Sequence, residues 1–282
     1  MRFFGKLVLF VAVALAPSLA VAEGTLDRIK SSGTIRLGMR EDAAPFAWRT
    51  DQGGIAGYSV DLCVAVAEHI KHDLKMDKLE AELVIVTAAD RFDAVVDGKI
   101  DLLCEATSAT LSRRERVDFS LPTYIDGASV LERPDGPATF KELAGHKIGV
   151  LTGTTTQEAL GEVLKKEGIA ADVVAVATHD EGLEQLKTKK IDAYFADRTI
   201  LQFMLFGDSD LAGYKLADSY FTYEPYAIAL PLGDSAYRLA VDRALSKIYR
   251  STAIEKIFQA TFKGGKPSDA LRYLYLITPM PE

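Results

Sequence analysis

From Thr34 onward the apolar and polar positions of the chain switch between two periods. TIRLGM (34–39) is a short apolar run fit for a buried strand, and SVDLCVAVAEHIKHDL (59–74) repeats apolar residues at helical spacing, at Val60, Cys63, Val64, Val66, Ala67 and Ile70. ELVIVTA (82–88) reads as a strand, DRFDAVVDG (90–98) as a short helix and IDLLCEA (100–106) as a strand. Strands separated by helices of this length predict parallel βαβ units. The pattern then recurs. HKIGVLTG (146–153) is a strand, TTQEALGEVLKKEG (155–168) a helix with Gly168 as its stop, ADVVAVAT (171–178) a strand, DEGLEQLKTK (180–189) a helix and KIDAYFAD (190–197) a strand. Superposing Lys99-Ile100-Asp101 on Lys190-Ile191-Asp192 lays Phe92 and Val95 over Leu183 and Leu186. The expectation is an α/β chain with two similar lobes.

Two extended stretches punctuated by proline and glycine, residues 117–136 and 219–234, supply the two crossings that such an arrangement needs. The last segment, 237–262, is helical by period and is expected to return to the first lobe. The lobes are therefore placed at 23–122 with 226–282, and at 123–225 with the joining strands at its edges. Two lobes on two strands make a hinged clamp.

The first residues change the picture of where the protein works. A cationic start (Arg2, Lys6), an apolar run from Leu7 to Leu15 and the small residues of AVA before Glu23 predict a secretory signal cut after Ala22. The run is interrupted at Pro17 and is shorter than the roughly 20 residues that span a bilayer. Cleavage removes two cations and no acid, so the formal charge moves from -7 to -9. An acidic exported protein is a poor partner for nucleic acid or an anionic membrane surface. Export also bears on the two cysteines, Cys63 and Cys104: an even count in an oxidising compartment favours a disulfide between them, as a structural staple.

Candidate chemistry gathers beyond the strand ends, where α/β lobes bind ligands. Arg40 follows TIRLGM, Arg91 opens the helix after ELVIVT, and Thr107, Ser108 and Thr110 follow DLLCEA on the way to Arg113. In the second lobe Thr152-Gly153-Thr154-Thr155 runs from a strand into a helix start, which presents free backbone N–H groups to an anion; an ordinary threonine N-cap accounts for the same residues. His179 and Asp197 lie beyond the next two strand ends, and the aspartate suits a ligand ammonium. The histidines have no metal-site spacing, and neither a G-x-S-x-G elbow nor a phosphate-binding loop is present. No cofactor is expected.

The order of GMREDAAPFAW, GIAGYSVDLCVAVAE, TAADRFDAVVDGKIDLLCEATSATLSRRERVDFSLP, GVLTGTTTQEAL and KIDAYFADR resembles the periplasmic amino-acid-binding proteins of ABC importers, family 3 of the bacterial extracellular solute-binding proteins, along the whole mature chain and most of all in the glutamate/aspartate branch. The resemblance implies a two-lobed fold of the type II periplasmic-binding-protein kind, a monomer, a periplasmic location and a membrane permease as partner. It implies that Ser108 meets the ligand amino group and Arg113 its α-carboxylate, with the Thr154–Thr155 turn closing over the same carboxylate and Thr152 nearby. Asp197 then meets the α-ammonium, and Arg40, Arg91 and His179 surround the side chain of an acidic amino acid, glutamate or aspartate, with their amides as alternatives. Ala88 and Glu105 depart from the branch. The other reading is an enzyme on the same scaffold, a cyclohexadienyl dehydratase, with Glu105 or Glu158 as its acid.

Overall fold

The computed structural model describes residues 24–137 and 139–281; the expected signal segment lies outside the described residues. Helix α1 (Thr25–Ser32) leads into β1 (Thr34–Met39), then a small sheet of β2 (Asp42–Ala43), β3 (Ala47–Arg49) and β4 (Ile55–Ala56). Next come α2 (Tyr58–Asp73), β5 (Glu80–Ile85), α3 (Arg91–Val96), β6 (Leu102–Leu103) and the long β7 (Asp118–Asp126). The second half runs β8 (Ala128–Glu132), β9 (Lys147–Leu151), α4 (Thr155–Glu167), β10 (Asp172–Val176), α5 (His179–Lys187), β11 (Ala193–Asp197), α6 (Arg198–Gly207) and β12 (Lys215–Leu216). The chain ends in β13 (Glu224–Leu230), α7 (Ser235–Tyr249), α8 (Ala253–Thr261) and α9 (Asp269–Ile277).

Two five-stranded sheets form the lobes, in the orders β5-β1-β6-β13-β7 and β10-β9-β11-β8-β12. In each, three strands are parallel and the strand beside them, β13 or β8, is antiparallel. The repeat seen in the sequence is physical. Asp101 Oδ2 accepts from the Arg36 N–H at 2.7 Å and Asp192 Oδ2 from the Lys147 N–H at 2.9 Å. A Cβ on Gly38 would sit 2.3 Å from Ile100, and one on Gly149 2.4 Å from Ile191. Each lobe thus seats an isoleucine of its Lys-Ile-Asp turn on a bare glycine of the middle strand of its parallel three.

The chain leaves the first sheet at Asp126 and enters the second at Ala128. It returns alongside: the Phe221 N–H donates to the Ala128 carbonyl (2.8 Å) and the Ala128 N–H to Thr222 Oγ1 (2.9 Å). Gly127 sits where the crossings touch, and a Cβ there would lie 1.9 Å from the Thr222 carbonyl oxygen. The C-terminal segment packs on the first lobe, where Val241, Leu245, Ile254 and Phe258 join Leu62, Val66 and Ile70 of α2 in one core. Its helical stretch is split into two helices. Ser251 Oγ donates to the Ile248 carbonyl and accepts from the Ala253 N–H, a local bond that competes with the helix ladder. Cys63 on α2 is bonded to Cys104 beyond β6, with Cα atoms 6.0 Å apart. No helix among the described residues is long and apolar enough to cross a membrane.

Candidate ligand-binding site

The strand expected at 100–106 is in ladder register only at Leu102–Leu103, and the chain beyond it leaves the sheet to build the site. Glu105, Thr107 and Ser108 are all buried there. Arg40, just past β1, and Arg91, the first residue of α3, are 3% and 2% exposed, and both turn to Glu105. Arg40 Nη1 lies 3.5 Å from Glu105 Oε2 and Arg91 Nε 3.2 Å from Oε1, while the Thr107 hydroxyl donates to Oε1. Arg40 is also paired with Asp42 at 2.7 Å. Buried ions survive when paired and hydrogen-bonded, and this four-membered set of two cations and two anions has zero net charge.

Arg113 opens the turn after Ser108, and its Nη1 donates to the Ser108 carbonyl at 2.8 Å. Its guanidinium lies over the Phe92 ring, 4.9 Å from the centroid, so one face is fixed by a cation–π contact. The Ser108 hydroxyl faces the second lobe and lies 3.2 Å from Thr155 Oγ1. Thr155 donates in turn to Glu224 Oε2 (2.5 Å).

Thr154 is the N-cap of α4: its Oγ1 accepts from the Gln157 N–H (3.2 Å), and its hydroxyl bonds within the turn, to the Leu151 carbonyl and Thr156. Its side chain is thus occupied, and the turn can meet an anion through the N–H groups of the first helical residues, which have no intrahelical acceptor. Thr152 is exposed, with its N–H bonded to the Val176 carbonyl, apart from the buried groups.

His179 begins α5 and is buried. Its N–H donates to Asp42 Oδ2 across the lobes (2.8 Å) and its Nδ1 meets the Tyr194 hydroxyl (2.9 Å). Burial, then the neighbouring Arg40, pushes the imidazole down to about 3, so it is neutral at pH 7. Asp197, at the end of β11, is buried with Oδ1 free of any hydrogen bond. Burial and then the Asp126 and Glu224 carboxylates push it up to about 8, and burial raises Asp126 to about 7. The Tyr226 hydroxyl reaches both aspartates, donating to Asp126 Oδ2 at 3.4 Å. A pair of carboxyls so close holds on to a proton until a cation arrives.

The lobes meet over these groups. Arg91 Nη2 donates to the Gly153 carbonyl (3.2 Å), His179 bonds Asp42, Ser108 faces Thr155, and the Trp48 ring lies 5.6 Å from that of Phe203. Asp42, Asp126, Glu224 and Tyr226 were not singled out in the sequence. Asp42 lies two residues past Arg40, and the other three lie on the crossing stretches, whose Asp-Gly and Glu-Pro-Tyr steps mark only extended chain. Arg114 and Arg116 are exposed; Arg116 pairs with Asp93 and Arg114 lies over Phe119.

Residues 35–264 match the model of the bacterial extracellular solute-binding proteins, family 3. The chain belongs to that family. It is 28% identical to the L-glutamate/L-aspartate-binding protein of Pseudomonas aeruginosa over 96% of this chain and 91% of that one. It is 25% identical to the glutamate/aspartate import solute-binding protein of Escherichia coli, over 93% and 87%. Among solved structures it is similar to an ancestral arginine-binding protein bound to glutamine, with a TM-score of 0.73 and 25% identity over 82% of this chain and 98% of that one. The fold is accordingly the two-lobed fold of the amino-acid-binding proteins.

Proposed function

We propose that the chain, as lobes 23–122 with 226–282 and 123–225, closes on a polar L-amino acid of the glutamate, aspartate, glutamine and asparagine group in the periplasm and hands it to an ABC importer permease. One observation carries this reading. The buried and half-buried groups sort into three sets that match the three parts of an amino acid, and the sets draw on both lobes. Arg113 and the start of α4 suit an α-carboxylate, because a guanidinium fork and free N–H groups both address its oxygens, and Ser108 suits the amino group. Asp197, with its unpartnered oxygen, suits the ammonium. Arg40, Arg91, Glu105, Asp42 and His179 suit a polar side chain.

The acids of a dehydratase do not support the enzymatic reading. Glu105 is tied by two arginines and Thr107, and Glu158 is exposed on α4. Closure without chemistry is therefore the reading, with the protein acting as a monomer after cleavage behind Ala22.

The single tryptophan of the chain, Trp48, tests it. It faces Phe203 of the other lobe, so its emission reports whether the lobes are together. Adding each of the four amino acids to refolded protein should give a saturable emission change with at least one of them. No change with any of the four, together with unchanged small-angle scattering, contradicts the proposal.

A further inference from the structure

Glu105 makes the side-chain end of the site unlike a site built for a dicarboxylate. Both cations that could hold a ligand carboxylate, Arg40 and Arg91, are already neutralised within the chain by Glu105 and Asp42. A ligand carboxylate entering this set would bring a third anion to two cations and would meet Glu105 at close range, where like charges repel strongly in a buried setting. Glu105 Oε2 is buried without a hydrogen bond and its nearest cation, Arg40 Nη1, is 3.5 Å away, whereas Arg40 Nη2 and Arg91 Nε already face carboxylate oxygens at 2.7 and 3.2 Å. An open acceptor beside cations that are already paired suits a primary carboxamide, whose NH2 can donate to it. A carboxylate has nothing to donate and leaves the acceptor facing another acceptor.

We infer that Glu105 is a specificity-determining residue that turns the side-chain end of the proposed site toward the amides, glutamine or asparagine, and away from the corresponding acids. The inference rests on the amino-acid-binding reading and deepens it. Glu105 acts as a fixed internal substitute for the ligand's own carboxylate: it neutralises the two arginines permanently and leaves a neutral side chain the better fit.

The test is calorimetric titration of the refolded mature protein and its Glu105→Gln variant with glutamine, asparagine, glutamate and aspartate at pH 7.5. The wild type should bind one of the amides at least ten-fold more tightly than the acid of the same length. Glu105→Gln keeps the size of the side chain and its oxygen for Thr107, removes the anion, and should raise the ratio of acid to amide affinity by ten-fold or more. Glu105→Ala repeats the arm in case the glutamine variant does not fold. A wild type that binds the acid as well as or better than the amide, or a ratio unmoved in the variants, overturns the role given to Glu105 and leaves the clamp standing. Silence of the wild type toward all four overturns the amino-acid-binding reading, and this inference falls with it.

Discussion

Arg113 shows what one residue is asked to do. Its guanidinium is held by the Ser108 carbonyl and the Phe92 ring, so in the proposed site it would meet a ligand carboxylate pre-oriented. Arg113→Ala should weaken binding of every amino acid in the group by roughly 2 to 5 kcal/mol, because a desolvated carboxylate loses its main partner; calorimetric titration that finds unchanged affinity removes Arg113 from the site. Asp197 gives a pH dependence of known sign. Its folded pKa of about 8 lies above the unfolded value near 3.9, so the folded, unliganded protein holds the extra proton and this contribution to stability declines as pH rises from about 4 through 8. A bound ammonium favours the carboxylate, so binding releases the proton and affinity should rise between pH 6 and 8.5. Thermal melts with and without ligand should therefore show a ligand-induced shift that grows over that range, and a shift constant with pH contradicts the Asp197–ammonium contact. Arg40, Arg91 and Arg113 could be picked out in the sequence because each stands just past a strand that the apolar pattern marks. The fate of Glu105 could not, since whether a carboxylate turns to solvent or to two arginines depends on where β1, α3 and the chain after β6 meet.

The elements divide in the same way between what periodicity announces and what contact decides. The βαβ runs of both lobes follow from apolar spacing, and their likeness extends to Gly38 with Ile100 and Gly149 with Ile191. Helices α1, α6 and α9 had no reading of their own. The first is short and α9 lies beyond the 237–262 segment, so neither has a neighbour in the pattern to define its apolar face; α6 starts directly after Asp197, the last residue of β11, where the chain gives no loop to separate strand from helix. The disulfide ties α2 to the chain after β6 and closes a loop over a separation of 41 residues. A loop of that length implies that Cys63→Ala with Cys104→Ala costs about 4 kcal/mol in the chain-entropy account, checked by urea unfolding of the double variant against the oxidised protein. Equal stability would mean that the staple contributes nothing to the first lobe. At the crossing strands, Gly127 leaves no room for a Cβ beside the Thr222 carbonyl. Gly127→Ala should force the two strands apart and lower stability by at least about 1 kcal/mol, since overpacking against backbone has no rotamer to relieve it. A variant of unaltered urea midpoint would show that the crossing is looser than its geometry.

At the scale of the whole molecule the proposed site is shared between the two lobes, and each would contribute what the other lacks. The first lobe carries the guanidinium groups of Arg40, Arg91 and Arg113, while the second carries the N-terminus of α4, His179 and Asp197. A ligand shifts the equilibrium between open and closed lobes only by what it gains in the closed form, and those second-lobe groups are where that gain arises. The central claim is that closure captures a polar amino acid, and titration calorimetry of the refolded mature protein against glutamate, aspartate, glutamine, asparagine and lysine tests it most directly. The account predicts micromolar or tighter binding of at least one of the first four and no heat from lysine, whose ammonium would be desolvated beside a set of two cations and two anions that has no net negative charge to hold it. Silence toward the four, or binding of lysine in their place, would contradict it.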